Sequence, residues 1–376
     1  MKVVVVSGMW PPDVGGPASH APEVCHFLLS RGHAVEAITM ADRSPAPRPY
    51  PVHWASRRLP LGARHLAAAS LIARRTRTAD VVYSTGIIGR TSIAAAVARA
   101  PTVLKLTSDP VFERSLRWGL SGPDLGAFQQ LDGVRIGALR RARDLALARA
   151  RHILVPSRAL RELVLSWGIP DEKVTVLPNP VSPPPLDSLE ALRRRHGFDG
   201  PTLVFAGRLV PQKGIETALE AVRRNPDVTL LLAGEGPHHE HLVGEARALA
   251  VAERARFLGP LPRETAFELL RAADAALLPS RWENFPHMAV EALAVGTPVI
   301  ASDAGGVTEI LRDGWNGLVV PRGDPDALSD AIRRYLDDEE LQRRLRAEAV
   351  SSVAQFAPAA IYPRLEQLLS EAARRQ

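Results

Sequence analysis

Glu283-Asn-Phe-Pro-His-Met-Ala-Val-Glu291 sets two carboxylates eight positions apart around an Asn-Phe-Pro break. Upstream, Ala275-Ala-Leu-Leu-Pro-Ser280 reads as a buried strand; downstream, Pro286 to Val295 reads as a helix that stops at Gly296. Proline suits the first helical position, where its missing N–H costs nothing, and glycine suits the residue just past the end. Glu283 is therefore expected in the loop at a strand's C-terminal end. Glu291 is expected about 7.5 Å further along the helix axis, at ~1.5 Å per residue. The amides of Phe285, His287 and Met288 are expected to point out of the helix start, where an anion such as a phosphate is favoured.

The same strand–loop–helix unit recurs along the chain. Strands are expected at Val3–Val6, Ala34–Thr39, Val81–Ser84, Thr102–Leu106, His152–Pro156 and Val174–Leu177. A second series is expected at Thr202–Ala206, Val228–Ala233, Ala255–Leu258, Ala275–Pro279, Pro298–Ala301 and Gly317–Val320. Helical patterns between neighbours imply parallel sheets covered on both faces: two doubly wound, Rossmann-like α/β domains facing a central cleft. Pro178-Asn-Pro-Val-Ser-Pro-Pro-Pro-Leu186 breaks both periodicities and is the candidate linker. The expected division is 1–180, a linker at 181–197, a second domain at 198–355, and a C-terminal helix at 356–376 crossing back to the first domain. Asp42 to Arg58 and Arg114 to Gln130 are read as variable loops of the first domain.

At 376 residues, with 46% hydrophobic and 23% charged residues, the chain reads as globular and soluble. The apolar run after Met1 soon meets Pro11-Pro12, which fits a buried strand better than a signal peptide. No uncharged apolar run reaches membrane-spanning length. Cys25 is the single cysteine, which excludes an internal disulfide and thiol–metal clusters. The expected location is cytoplasmic, with the inner face of the membrane as a second place. Net charge is +6, and lysine occurs only at 2, 105, 173 and 213, leaving 43 arginines. Arg64 to Arg77 and Arg135 to Arg151 read as basic amphipathic helices. A solvated face explains them, and so does contact with an anionic membrane surface. No aromatic stacking platform supports nucleic-acid binding.

The remaining polar signals fall at expected strand ends, where doubly wound sheets bind ligands. Gly207-Arg208-Leu-Val-Pro-Gln-Lys213-Gly214 offers two cations around a turn. Arg208 can make a forked phosphate contact and Lys213 supplies a compact charge. Gly15 and Gly16 follow the first strand and allow close backbone approach to a ligand, although no GxGxxG is present. Gly234-Glu-Gly-Pro237 reads as room for a flat ring or as a plain turn, and Leu258-Gly259 is similar. Asp109, in Thr107-Ser-Asp-Pro110, reads as a cleft-facing acid or a helix cap. Asp324-Pro-Asp326 reads as a helix cap rather than a metal-binding DxD. His238, His239 and His241 read as solvated rather than as ligands. Cations for phosphate and acids for hydroxyl groups together suit a nucleotide sugar.

These residues resemble the GT-B glycosyltransferases, specifically the large retaining group called family 4, over nearly the whole chain. The resemblance rests on Gly-Gly-Pro-Ala-Ser-His at 15–20, Arg-Gly-His at 31–33, Phe-Ala-Gly-Arg-Leu-Val-Pro-Gln-Lys-Gly at 205–214 and Leu-Ala-Gly-Glu-Gly-Pro at 232–237. It continues through Glu283 to Glu291, Gly-Thr-Pro-Val-Ile-Ala at 296–301 and Gly-Gly-Val-Thr-Glu at 305–309. It implies a hexosyltransferase that needs no metal or resident cofactor and takes a UDP or GDP sugar as co-substrate. The acceptor would be a carbohydrate, a lipid-linked sugar or a small molecule. It implies that Arg208 and Lys213 bind the donor diphosphate, assisted by amides at Gly16 and near Phe285–Met288. Glu283 would hold sugar hydroxyls and Glu291 the ribose, with the Gly234 and Leu258 loops facing the base. Many relatives carry a histidine where Ser108-Asp109 stands, so Asp109 enters the expected catalytic set beside Glu283, Lys213 and Arg208. Asn284 stands where glycine is common. A sugar-nucleotide epimerase of similar fold and a catalytically silent nucleotide-sugar-binding protein are the rival readings.

Overall fold

A computed structural model describes residues 1–13, 16–120, 122 and 125–374. The chain divides into two compact units: Met1–Asn179 with Ile361–Gln376, and Pro180–Ala360. Each is built on one sheet whose strand pairs are all parallel.

The first unit contains β1 (Lys2–Ser7), β2 (Ala34–Ala41), β3 (Val52–Ser56), β4 (Val81–Ser84), β5 (Thr102–Lys105), β6 (His152–Val155) and β7 (Val174–Val176). Their order is β3-β2-β1-β4-β5-β6-β7. Val3 to Val6 are fully buried, because helices cover both faces of a parallel sheet and every side chain of a central strand meets a core. β3 lies inside the segment read from sequence as a loop. It is an edge strand of half-exposed residues, so it carries neither a continuous apolar run nor a strict alternation.

The second unit contains β8 (Thr202–Ala206), β9 (Thr229–Ala233), β10 (Ala255–Gly259), β11 (Ala275–Leu278), β12 (Val299–Ser302) and β13 (Gly317–Val320), in the order β10-β9-β8-β11-β12-β13. Strand order reverses between β8 and β11. In doubly wound sheets the loops leaving the strands on either side of such a reversal diverge and leave a crevice.

Two boundaries differ from the sequence expectation. The linker was expected to run through 197, but Leu189–His196 is a helix capped by Ser188 and ended by Gly197 in the left-handed region. Leu192 is fully buried in the second unit's core, and Arg193 reaches Asp274 at 3.1 Å. The irregular stretch is therefore only the proline-rich part. The last helix, Pro358–Arg374, begins after Phe356, which belongs to the second unit's core. Its residues Leu365, Leu368, Leu369 and Ala372 pack into the first unit beside Val3, Val24 and Leu28. Tyr362 donates to Glu23 at 2.8 Å, and Glu366 pairs with Arg31 and His33.

Candidate functional site

The second unit gathers most of the expected site at its strand-order reversal. After β8 the chain passes Gly207 and Arg208, makes a short 3-10 turn at Pro211–Lys213, and enters the helix Ile215–Arg224 through Gly214. After β11 it forms the loop that carries Glu283 and enters the helix His287–Ala294. The two loops are fastened together. Arg281 N–H donates to the Gln212 carbonyl at 2.8 Å, and Gln212 Nε2 donates to the Trp282 carbonyl at 2.9 Å. Gly214 has φ +59°, and a Cβ there would sit 2.3 Å from the Pro279 carbonyl oxygen. Only glycine lets the loops approach this closely.

That approach brings Lys213 Nζ to 2.5 Å from Glu283 Oε1, and Ser280 Oγ donates to the same oxygen at 2.7 Å. Glu283 is 6% exposed, and Oε2 has no hydrogen-bond partner among the described residues. The carboxylate is thus oriented through one oxygen and leaves the other available as an acceptor. Arg208 is exposed, and its guanidinium forms no ion pair or hydrogen bond with another described residue. Gln212 and Ser280, which brace this arrangement, were not singled out in the sequence, since a glutamine and a serine in loops carry no signal of their own.

Gly234 follows β9. Its φ is +139°, and a Cβ would fall 1.9 Å from the Gly207 carbonyl oxygen. Gly207 N–H donates to Ala233 O and Leu209 N–H to Glu235 O, each at 2.9 Å. The glycine therefore serves the contact between two loops of the site. Leu258 stands at the C-terminal end of β10, next to Gly259, whose carbonyl accepts from Gly234 N–H at 2.8 Å. Its side chain lines a concavity of about 280 Å³ with Phe198, Thr202, Thr229 and Leu231. A register shift between Phe257 and Gly259 breaks the pleat there, which changes side-chain direction.

The helix start holds fewer free amides than expected. His287 N–H donates to the Phe285 carbonyl at 3.0 Å, so His287 drops out as an amide donor to a ligand. The amides of Phe285 and Met288 give no hydrogen bond to another described residue. Both side chains are core residues, with the Phe285 ring edge-on to Phe356. Pro286 caps this helix rather than occupying its first position. Asn284 is half-buried beside Glu283.

Glu291 lies in the same helix, half-buried, with no partner for its carboxyl group among the described residues. Burial pushes it up to about 7, partly offset by Arg263. The folded value exceeds the ordinary 4.5, so this group's contribution to stability is intact below pH 4.5 and is lost as pH rises through 7. The loss approaches about 3 kcal/mol at alkaline pH. Glu291→Gln is therefore expected to match the parent near pH 4.5 and to be more stable at pH 8.5. Denaturant titrations across that range check it, and a difference independent of pH would contradict it.

In the first unit, Gly16 opens the helix Gly16–Ser30, and Gly15 lies outside the described residues. Asp109 is not the cleft-facing acid expected. Its side chain is fully buried, caps the helix Pro110–Arg117 through Val111 N–H at 2.9 Å, and receives Arg143 Nη1 at 3.1 Å on both oxygens. Arg143 in turn stacks on Trp167, 3.6 Å from its centroid. Asp109 is committed to this pair and leaves the catalytic set. Asp324 caps the helix Pro325–Asp337, as its sequence context implied.

The model of glycosyl transferases group 1 matches residues 189–351, and that of the glycosyl transferase 4-like domain matches 15–180. A glycogen synthase of Mycobacterium tuberculosis is 29% identical, with 92% of this chain and 89% of that protein covered. A D-inositol 3-phosphate glycosyltransferase of Corynebacterium diphtheriae is 37% identical over a shorter stretch, 46% of this chain and 42% of its own. Among solved structures, Anabaena HepE in complex with UDP and glucose superposes with a TM-score of 0.80 at 20% identity, covering 99% of this chain and all of that one.

Proposed function

The chain belongs to the group 1 glycosyltransferases of GT-B fold, and on that footing we propose that it moves a sugar from a nucleoside diphosphate, of uridine or guanosine, to a hydroxyl or amine acceptor. In this reading transfer proceeds with retention and needs no metal. The observation that carries it is the joining of Lys213, Ser280 and Glu283 at the strand-order reversal, with an unpaired Arg208 on the same loop as Lys213.

Leaving-group departure places growing negative charge on the diphosphate. Arg208, Lys213 and the amides of Phe285 and Met288 would bear that charge, and preorganised donors of this kind usually give the largest catalytic term. Glu283 would accept from sugar hydroxyl groups through Oε2, and its charge would favour the cationic anomeric carbon. Glu291 would hold ribose hydroxyls. A double displacement needs a carboxylate nucleophile, and Asp109 is tied up by Arg143. A front-face reaction, in which the departing phosphate oxygen takes the acceptor's proton, fits better. The UDP-bound HepE neighbour and the glycogen synthase and inositol-phosphate relatives are consistent with such a donor.

A thermal-shift panel of nucleoside diphosphates and their sugars tests the donor. The best hit is then incubated with and without candidate carbohydrate acceptors, and the product's anomeric configuration is read by NMR. Transfer only with acceptor present is expected. Conversion of the sugar nucleotide alone would support the epimerase, and binding without conversion the silent binder.

We further propose that the first unit touches an anionic membrane surface. The helices Leu61–Thr76, Ile88–Ala98 and Val134–Ala148 are neighbours and expose Leu61, Leu66, Ile93, Val97, Val134 and Leu145 among their arginines. No helix among the described residues is long and apolar enough to cross a membrane. Co-sedimentation with phosphatidylglycerol vesicles is expected, weakened by salt and by Leu66→Glu. Equal recovery with phosphatidylcholine vesicles would count against it.

A further inference from the structure

The sequence reading left the histidines after β9 in solvent, but the fold gives two of them a partner. Glu216 stands in the first turn of the helix Ile215–Arg224, and His238 and His241 stand at the start of the helix His239–Ala248. We propose that these three side chains form a binding site for one divalent transition-metal ion of the zinc type.

One ligating atom from each lies within 4.8 Å of the others. His238 Nε2 is 2.6 Å from Glu216 Oε1, and the two imidazole rings are 4.5 Å apart between centroids. The remaining Glu216 oxygen, Oε2, is buried with no hydrogen-bond partner. A buried acceptor left unpaired costs about 1–3 kcal/mol, and a cation removes that cost. Two imidazoles and a carboxylate are the donor set of zinc and its neighbours, whereas magnesium and calcium take oxygen ligands. The 2.6 Å pair opens as both atoms settle at about 2.0–2.2 Å from a shared ion. His241 is exposed, which leaves water access to the remaining positions.

The site has a place in the fold. Glu216 follows Lys213 by three residues, and His238 N–H donates to the Leu209 carbonyl at 3.1 Å. An ion here would clamp two helix starts whose loops pack on each other. It does not depend on the transferase reading.

The test uses the full chain stripped with chelator and titrated with Zn²⁺ against a chromophoric competitor at pH 7.5. One ion per chain is expected, undisturbed by millimolar Mg²⁺. His241→Ala and Glu216→Gln are each expected to weaken binding at least about tenfold, while thermal melts without metal show whether each variant is folded. His241 is exposed, so its variant is the cleaner one. Affinity should fall in acid, because protons compete with the metal for its ligands. Lys213→Ala should bind zinc as the parent does, which separates failure here from failure of the donor site. Absence of stoichiometric zinc, or full affinity in a folded His241→Ala, would overturn the proposal.

Discussion

Lys213→Ala is expected to lower kcat/KM by about 10²–10³-fold, with donor KM rising; because it also leaves the Glu283 carboxylate without its cation, a thermal melt of the variant accompanies the kinetics. The residue neutralises charge that grows as the diphosphate leaves, so the loss should be larger in turnover than in ground-state binding of the intact donor. Arg208→Ala should lose a similar factor, and its exposed, unpaired side chain makes any effect on folding small. Lys213→Arg is the informative companion. It keeps the charge but cannot reproduce a compact ammonium 2.5 Å from Glu283, so partial recovery is expected. Steady-state kinetics with a series of donor concentrations checks this. Full activity in Lys213→Ala would remove the diphosphate role and with it the proposed chemistry.

Arg143→Ala should destabilise the protein by about 3–5 kcal/mol, because it strands the Asp109 carboxylate in a core that excludes water. The guanidinium donates to both Asp109 oxygens and to Asp144 and rests on Trp167, so truncation removes a charge, three hydrogen bonds and a stacked surface together. Asp109→Asn keeps the helix cap and removes one charge, and it should be milder. The double variant should be more stable than the sum of the single losses predicts, since neither charge is then left alone. Urea melts of the four proteins complete this cycle. Additive losses would mean that the two groups act independently, against the geometry.

These two residues also show where sequence reading stops. Strands announced themselves because a parallel sheet buries both faces, and Val3 to Val6 or Ala275 to Leu278 could hardly be anything else. β3 lacks that signature because an edge needs little burial. The cations and acids at strand ends were legible from their types and from the loops they occupy. Asp109 was legible only as an acid or a cap. Its partner is 34 residues away, in a helix so rich in arginine that no single one stands out. The zinc-type triad was invisible because Glu216 and His238 meet only after β8 and β9 lie side by side.

The helix that closes the first unit's core comes from the far end of the chain. Leu365 to Ala372 cover Val3, Val24 and Leu28, so these residues await a segment made only after the whole second unit. At roughly 5–20 residues per second, a ribosome needs on the order of ten to forty seconds to make the intervening 180–360 stretch. Through that interval the nascent first unit shows a bare greasy groove, while the second unit, contiguous in sequence, can complete itself before its elder neighbour does.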